Sequence, residues 1–248
     1  MSRTITVRLL GHFQLEVGGE PRTLAYSESR LLALLCLQPG DVSREWVAGT
    51  VWPEVSTSTS LRRLRSTLSR LRHAVPDAIR SGTDSVGLAT GVEIDLRTAT
   101  SHARAVLSPD FESTPPVEEP ELFARDLLSD WYEEWIEADR EIFRNLRVHA
   151  LERMAHHALS AGRYGTAIDA CLRVLRVEPY RETTHRLLVE VYLAEGNRTK
   201  AIDHARHYLE LVRSELGVDA DIAWGWGDEF DALVAPIRSL NGDSPLRP

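Results

Sequence analysis

The segment SLRRLRSTLSRLRHAV, positions 60–75, carries five arginines and no carboxylate, in a chain whose formal net charge is −8. Arginine presents a planar fork of N–H donors that fits a phosphate or the groove edge of guanine, and serine and threonine hydroxyls serve either partner. The chemistry within reach of such a segment is recognition of a polyanion. Its leucines decide which arginines can do it. Leu61, Leu64, Leu68, Leu71 and Val75 follow one another at alternating spacings of three and four, which makes one apolar stripe on a helix. At about 100° per residue, the side opposite the stripe carries Thr59, Arg62, Arg63, Ser66, Ser69, Arg70 and His73, with Arg65 and Arg72 at its flanks. A helix face that only keeps a protein soluble mixes signs and gains i,i+4 pairs. Here no acidic residue lies between Glu54 and Asp77. The alternative is a basic solvated face with no partner.

The elements around this helix are legible upstream and downstream. Ile5, Val7 and Leu9, then Phe13, Leu15 and Val17, alternate with other residues on either side of Gly11, which predicts short antiparallel strands. Glu20–Leu24 offers a third. SESRLLALLCLQ switches to helical period and is stopped by Pro39-Gly40, and Ser43 can cap a second short helix, REWVAGTV, that ends at Trp52-Pro53. Beyond the arginine helix, AIRSGTDSVGLAT reads as a hairpin, with Arg80 as its only basic residue. Strands, three helices and a terminal hairpin predict a winged helix-turn-helix, in which the third helix enters the major groove and the hairpin touches the flanking backbone.

Charge is divided along the chain. Residues 1–100 hold 12 arginines against 10 carboxylates, whereas the remaining 148 hold 17 basic against 27 acidic residues, so the acidity lies in the second half. That half is helical in pattern from Glu121 to Leu216, after a proline- and acid-rich stretch at 107–120. It contains a repeat: GRYGTAID at 162–169 returns as GNRTKAID at 196–203. The offset of 34 residues is the tetratricopeptide period, with glycine at the turn and alanine where two helices pack closely. DWYEEWIEADREIF places Trp131 and Trp135 on one helix face with Glu134 among the acidic residues around them. This reads either as tryptophans packed against the repeats or as a partner-docking surface. His156-His157 lacks a third ligand and points in two directions from a helix, so no metal site is assigned.

The segments VRLLGHFQLEVGGEPRTL, SREWVAGTVWPE, LRSTLSRLR and GVEIDL, in that order, resemble the OmpR-type winged helix of Streptomyces antibiotic regulatory proteins (SARPs). WYEEWIEADREIFRNLRVHALE, GRYGTAIDACLRVLRVEPYRETTHRLLVEVYLAEGN and ELGVD are similar to the bacterial transcriptional activation domain that follows it in the same regulators. Together the two likenesses span roughly residues 5–220. They imply an α+β winged helix followed by an all-α tetratricopeptide-like domain. Residues 1–97 would bind DNA, residues 98–222 would form the activation domain, and 223–248 would be a short helix and flexible tail. They further imply an activator that binds repeats in double-stranded promoter DNA and bridges to RNA polymerase through a sigma factor, with a homodimer on DNA as one arrangement. The DNA-contact role falls on Thr59, Arg62, Arg63, Arg65, Ser66, Ser69, Arg70, Arg72, His73 and Arg80.

Other classes find little support. There is no GxxxxGK[ST], dinucleotide loop, HExxH, CxxC or GxSxG, so no enzyme activity and no cofactor is expected. Cys36 and Cys171 sit in apolar helical patterns and read as reduced core thiols. No apolar run reaches the ~18 residues of a membrane span, and MSRTITVRLL lacks a secretory pattern, so a cytoplasmic location is expected. Two alternatives to a DNA reader remain: a tetratricopeptide-like interaction scaffold, and a regulator whose repeats sense a ligand.

Overall fold

Alternation at the start of the chain produces strand β1 (Ile5–Arg8), with Ile5 and Val7 buried. The structure, a computed structural model, describes residues 4–113 and 123–217. Strand β2 (Gln14–Val17) pairs antiparallel with β1, Ile5 opposite Val17, and the two-residue β3 (Glu20–Pro21) pairs with β2. Helix α1 (Tyr26–Leu37) follows, its first turn closed by Glu28, whose Oε2 accepts the Ala25 N–H at 3.0 Å. A bond of this kind satisfies one of the donors that a helix leaves open at its N-terminus.

After Pro39-Gly40 come β4 (Val42–Ser43) and α2 (Arg44–Val51). Ser43 caps α2 as its type predicts, accepting the Trp46 N–H at 3.1 Å. Helix α3 (Thr57–Ala74) is the arginine helix. Beyond it, β5 (Ile79–Ser81) and β6 (Ser85–Leu88) form the expected hairpin, and β7 (Val92–Ile94) leads into α4 (Asp95–Leu107). The sheets are β3-β2-β1-β7 and β4-β6-β5. Strand β7 lies parallel to β1, and Asp95 at its end accepts the Leu9 and Leu10 N–H groups at 2.8 and 3.0 Å. Helices α1, α2 and α3 share a core of Leu31, Leu32, Leu35, Val47, Val51, Leu64, Leu68 and Leu71, every one buried. Each of these leucines and valines contributes about 1.5–3 kcal/mol when fully withdrawn from water. Three helices, a helix-turn-helix formed by α2 and α3, and the β5–β6 hairpin make a winged helix.

The described residues fall into two compact units, one of 4–108 with 123–147 and the other of 109–113 with 148–217. The first thus extends beyond residue 97 to include a strap at 123–133. Leu127 forms an antiparallel bridge to Leu10, the Leu128 N–H donates to the Leu9 carbonyl at 2.8 Å, and the Gly11 N–H donates to the Asp126 carbonyl at 2.7 Å. Arg140 then gathers three carbonyls of the strap: Leu127 at 2.8 Å, Trp131 at 2.6 Å, and Leu128. Leu128 itself holds a positive φ of 44°.

These bonds correct one expectation. The continuous helical pattern from Glu121 does not give a continuous helix: helix α5 begins at Glu134 and runs to Ser160. Trp131 therefore precedes the helix instead of sharing a face with Trp135, because the carbonyls that would build a helical ladder there are bound to Arg140 and the strap is bridged to Leu10.

In the second unit, α6 (Tyr164–Val177), α7 (Glu182–Ala194) and α8 (Arg198–Leu216) follow the end of α5, and a 3-10 turn spans Pro109–Ser113. The sequence repeat is a structural repeat. Gly162 and Gly196 both take positive φ, 68° and 87°. The next residue closes each turn alike, Arg163 N–H to the Ala158 carbonyl and Asn197 N–H to the Tyr192 carbonyl, both at 2.8 Å. A side chain would be strained at either glycine. Ala167 and Ala201, five residues on, are both fully buried, as close helix packing requires. The short helix and tail expected at 223–248, and most of the 107–120 stretch after Ser113, lie outside the described residues. Among the described residues, no helix is long and apolar enough to cross a membrane.

Candidate nucleic-acid interface

The stripe of α3 faces inward as its spacing demands: Leu64, Leu68, Leu71 and Val75 are buried and Leu61 half-buried, joined by Ser60 and Thr67. Everything the pattern assigns to the other side is outside. Arg62, Arg63, Arg65, Ser66, Ser69, Arg70, Arg72 and His73 are exposed, and Thr59 is half-buried in the first turn, where its hydroxyl accepts from Ser56 Oγ at 3.1 Å.

The arginines divide into two sets. Among the described residues, Arg62, Arg65 and Arg72 make no hydrogen bond or ion pair. Arg63 and Arg70 are each held by a carboxylate from elsewhere in the fold. Arg63 Nη1 meets Glu54 Oε1 at 2.8 Å. Arg70 Nε donates to Glu28 Oε1 at 2.6 Å, Nη1 to Ser66 Oγ at 2.8 Å, and Nη2 to Ser27 Oγ and Thr67 Oγ1 at 3.3 Å. Glu28 is buried and caps α1 with its other oxygen, so the Arg70 guanidinium joins α3 to the start of α1. Ser69 and His73 stay clear of these bonds, on the solvent side.

On the hairpin, Arg80 repeats the pattern. Its Nη2 donates to Asp41 Oδ1 at 2.6 Å, and its Nε lies 3.2 and 3.3 Å from the two Asp41 oxygens. Arg44, at the start of α2, donates from Nη2 to the Gly82 carbonyl at 3.2 Å and so braces the hairpin turn. Sequence reasoning missed all three carboxylates. Glu54, nine residues before its partner on the capping loop, was within reach of a local search. Glu28 and Asp41 were not, because they meet their arginines through the packing of α1 on α3 and the pairing of β4 with β6.

Residues 121–223 match the model of the bacterial transcriptional activator domain. The chain carries this domain behind a winged helix. That is the order of domains which the resemblance to SARPs implies. Among solved structures, the chain is similar to Mycobacterium tuberculosis EmbR, solved in complex with a low affinity phosphopeptide. The two are 19% identical with a TM-score of 0.69, covering 99% of this chain and 67% of that one. That likeness gives the same winged-helix and helical layout. No curated protein matches this sequence.

The aromatic candidates sit differently from their expectation. Trp131 is 7% exposed, stacked on Phe13 with ring centroids 5.8 Å apart, and edge-on to Tyr26 and Trp135. Its neighbours thus belong to the winged-helix unit, not to the repeats. Glu134, the first residue of α5, is exposed, and Trp135 is half-buried with its indole N–H donating to Glu133 at 3.1 Å. Glu133 also accepts from Arg30 at 2.6 Å and from the Tyr26 hydroxyl at 2.8 Å, and burial first and this carboxylate second push the Tyr26 phenol above its ordinary range.

Two polar clusters of the helical unit also escaped the sequence. Glu152 accepts from Arg181 Nε and Nη2 at 2.8 and 3.0 Å and from the Thr183 and Thr184 hydroxyls at 2.7 and 2.6 Å. Burial alone would raise its pKa, but these donors and the Arg181 charge outweigh it and bring the carboxyl down to about 2. His185 Nε2 lies 2.9 Å from the Pro179 carbonyl and its Nδ1 lies 3.0 Å from His204 Nε2. A carbonyl can only accept, so His185 carries its proton on Nε2, and Nδ1 accepts from His204 Nε2–H. With both pKa values below the ordinary imidazole value, both rings are neutral at pH 7. Burial lowers both pKa values, and the His185 and His207 charges help bring His204 to about 4. Cys36 and Cys171 are buried free thiols, Cys171 pushed up to about 12 by burial first and by Glu152 second. No group of three metal-ligating side chains occurs among the described residues.

Proposed function

We propose that this regulator binds double-stranded promoter DNA with α3 in the major groove and recruits RNA polymerase through its helical half. One observation carries the reading: the outward face of α3 presents Arg62, Arg63, Arg65, Arg70 and Arg72 with no carboxylate on the same helix. Arg62, Arg65 and Arg72, free of internal partners, are the phosphate and base contacts. Ser69, with His73 and Thr59 at the two ends of the face, completes it. Arg70, held by Glu28 and Ser66, sets the angle of α3 on α1, and Arg80 on the hairpin faces the flanking backbone. All of these residues precede position 97, where the division of labour falls. Residues 98–222 then act on proteins, contacting polymerase through a sigma factor or a second protomer on repeated sites. The regulator works in the cytoplasm and needs no cofactor.

The test is duplex binding by fluorescence anisotropy, using fragments selected from random DNA by the full chain. Arg62→Ala and Arg65→Ala each weaken binding. A phosphate contact loses affinity equally on every sequence and lowers the salt slope by about 1, whereas a base contact relaxes specificity by about 1–3 kcal/mol at one position. Binding unchanged in both variants excludes α3 as the reading helix.

A further inference from the structure

We propose that Glu54 and Asp41 are a brake on sequence-independent DNA binding, each holding one arginine of the interface neutralised until a specific site displaces it. The inference rests on the reading of α3 as the DNA-contact helix. Non-specific affinity grows with the number of phosphates neutralised, and log K falls with log salt by about 0.9 for each of them. A carboxylate on an arginine cancels the charge a passing phosphate would meet, through two nitrogens of Arg80 and through Nη1 of Arg63.

The geometry separates these two carboxylates from Glu28. Glu28 is buried, caps α1 and supports α3, a structural task. Glu54 and Asp41 keep 59% and 37% of their side chains exposed, and their partners Arg63 and Arg80 keep 45% and 50%. Exposed pairs of this kind add little to stability, so holding the fold does not account for them. Their placement does. Glu54 sits on the loop that leads into α3, and Asp41 pairs with the one arginine of the hairpin, so each of the two elements read as meeting DNA has an arginine neutralised. Random DNA meets a surface of three free arginines, Arg62, Arg65 and Arg72. At a specific site, base contacts by those three bring the backbone close enough to compete for Arg63 and Arg80. The carboxylates lower affinity everywhere but lower it more where no base contact compensates, and this difference is specificity.

The experiment compares the full-length protein with Glu54→Gln and Asp41→Asn, near-isosteric changes that remove charge alone. Affinity is measured on a random duplex and on selected fragments across a salt series, with thermal unfolding to verify that each variant is folded. On the random duplex each variant binds several-fold more tightly, with a salt slope steeper by up to about 0.9, and its ratio of specific to random affinity falls. Unchanged random affinity and slope in the folded variants overturn the proposal. A loss of affinity overturns it too, since the carboxylates would then be positioning their arginines for binding. Should Asp41→Asn not fold, Glu54→Gln decides by itself. A wild type without salt-dependent binding to any duplex removes the reading of α3, an outcome distinct from a wild type that binds and variants that do not change.

Discussion

Arginine serves α3 and the helical repeats in opposite ways. In the helical unit three arginines are paired with carboxylates: Arg173 with Asp169 at 2.7 Å on α6, Arg186 with Glu182 at 3.0 Å on α7, and Arg181, between those helices, with Glu178 at 2.9 Å and with Glu152 of α5 at 2.8 Å. On α3 no carboxylate lies within the helix, and those that do reach its arginines come from α1 and the preceding loop. The residue type is the same and the helical setting is the same. What separates a structural arginine from one available for a ligand is where the nearest negative charge sits along the chain.

The contrast can be broken at its strongest point first. Glu152→Ala leaves Arg181 without its main partner and the Thr183 and Thr184 hydroxyls without their acceptor, and costs about 3 kcal/mol of stability. DNA affinity of the protein that remains folded stays at the wild-type value, measured by anisotropy beside chemical denaturation. A loss of affinity with intact stability would erase the distinction between the two regions.

A smaller effect comes from the histidine pair. Both rings have folded pKa values below the ordinary 6.5, His204 at about 4, so the unfolded chain takes up protons first as the pH falls. Their contribution is fully present above pH 6.5 and is lost progressively toward pH 4. Glu152, depressed to about 2, contributes above the ordinary carboxyl value of 4.5 and loses that contribution only as pH falls from there toward 2. The melting temperature therefore declines between pH 7 and pH 5 through the histidines alone of these three groups. His204→Gln flattens that slope, whereas an unchanged slope assigns it to other titrating groups. The smallest effect belongs to an exposed helix pair, Arg144 with Glu141 at 3.0 Å. Arg144→Ala lowers stability by about 0.3 kcal/mol, within reach of careful denaturant titrations and with no change in DNA binding.

Periodicity carried most of what could be read in advance, and it worked where one residue type implies one environment. The leucine stripe of α3 oriented the helix correctly, Ser43 marked the start of α2, and the 34-residue recurrence located both glycine turns and both buried alanines. Pattern failed where bonds over long sequence separation decide the backbone. Residues 123–133 have helical composition, yet Leu10, Leu9 and Arg140 take the backbone groups a helix would use. The parallel pairing of β7 with β1 has no local signal either, since it joins segments at opposite ends of the winged helix. For the same reason the face of α3 was legible while the restraint on it was not. Exposure follows from spacing within one helix, but the carboxylates opposite Arg70 and Arg80 arrive from other elements.

Glu28 and Arg70 lie 42 positions apart, yet each oxygen of the one is committed, Oε2 to the first turn of α1 and Oε1 to the arginine. In the terms of sequence variation, the two positions behave as one site. Replacing Arg70 alone strands the charge of a buried glutamate, and replacing Glu28 alone opens the first turn of α1 and frees the arginine, so descendants of this chain should keep both or exchange both. An arginine on the helix proposed to read DNA would then be retained in step with a glutamate that sits beneath it in the fold.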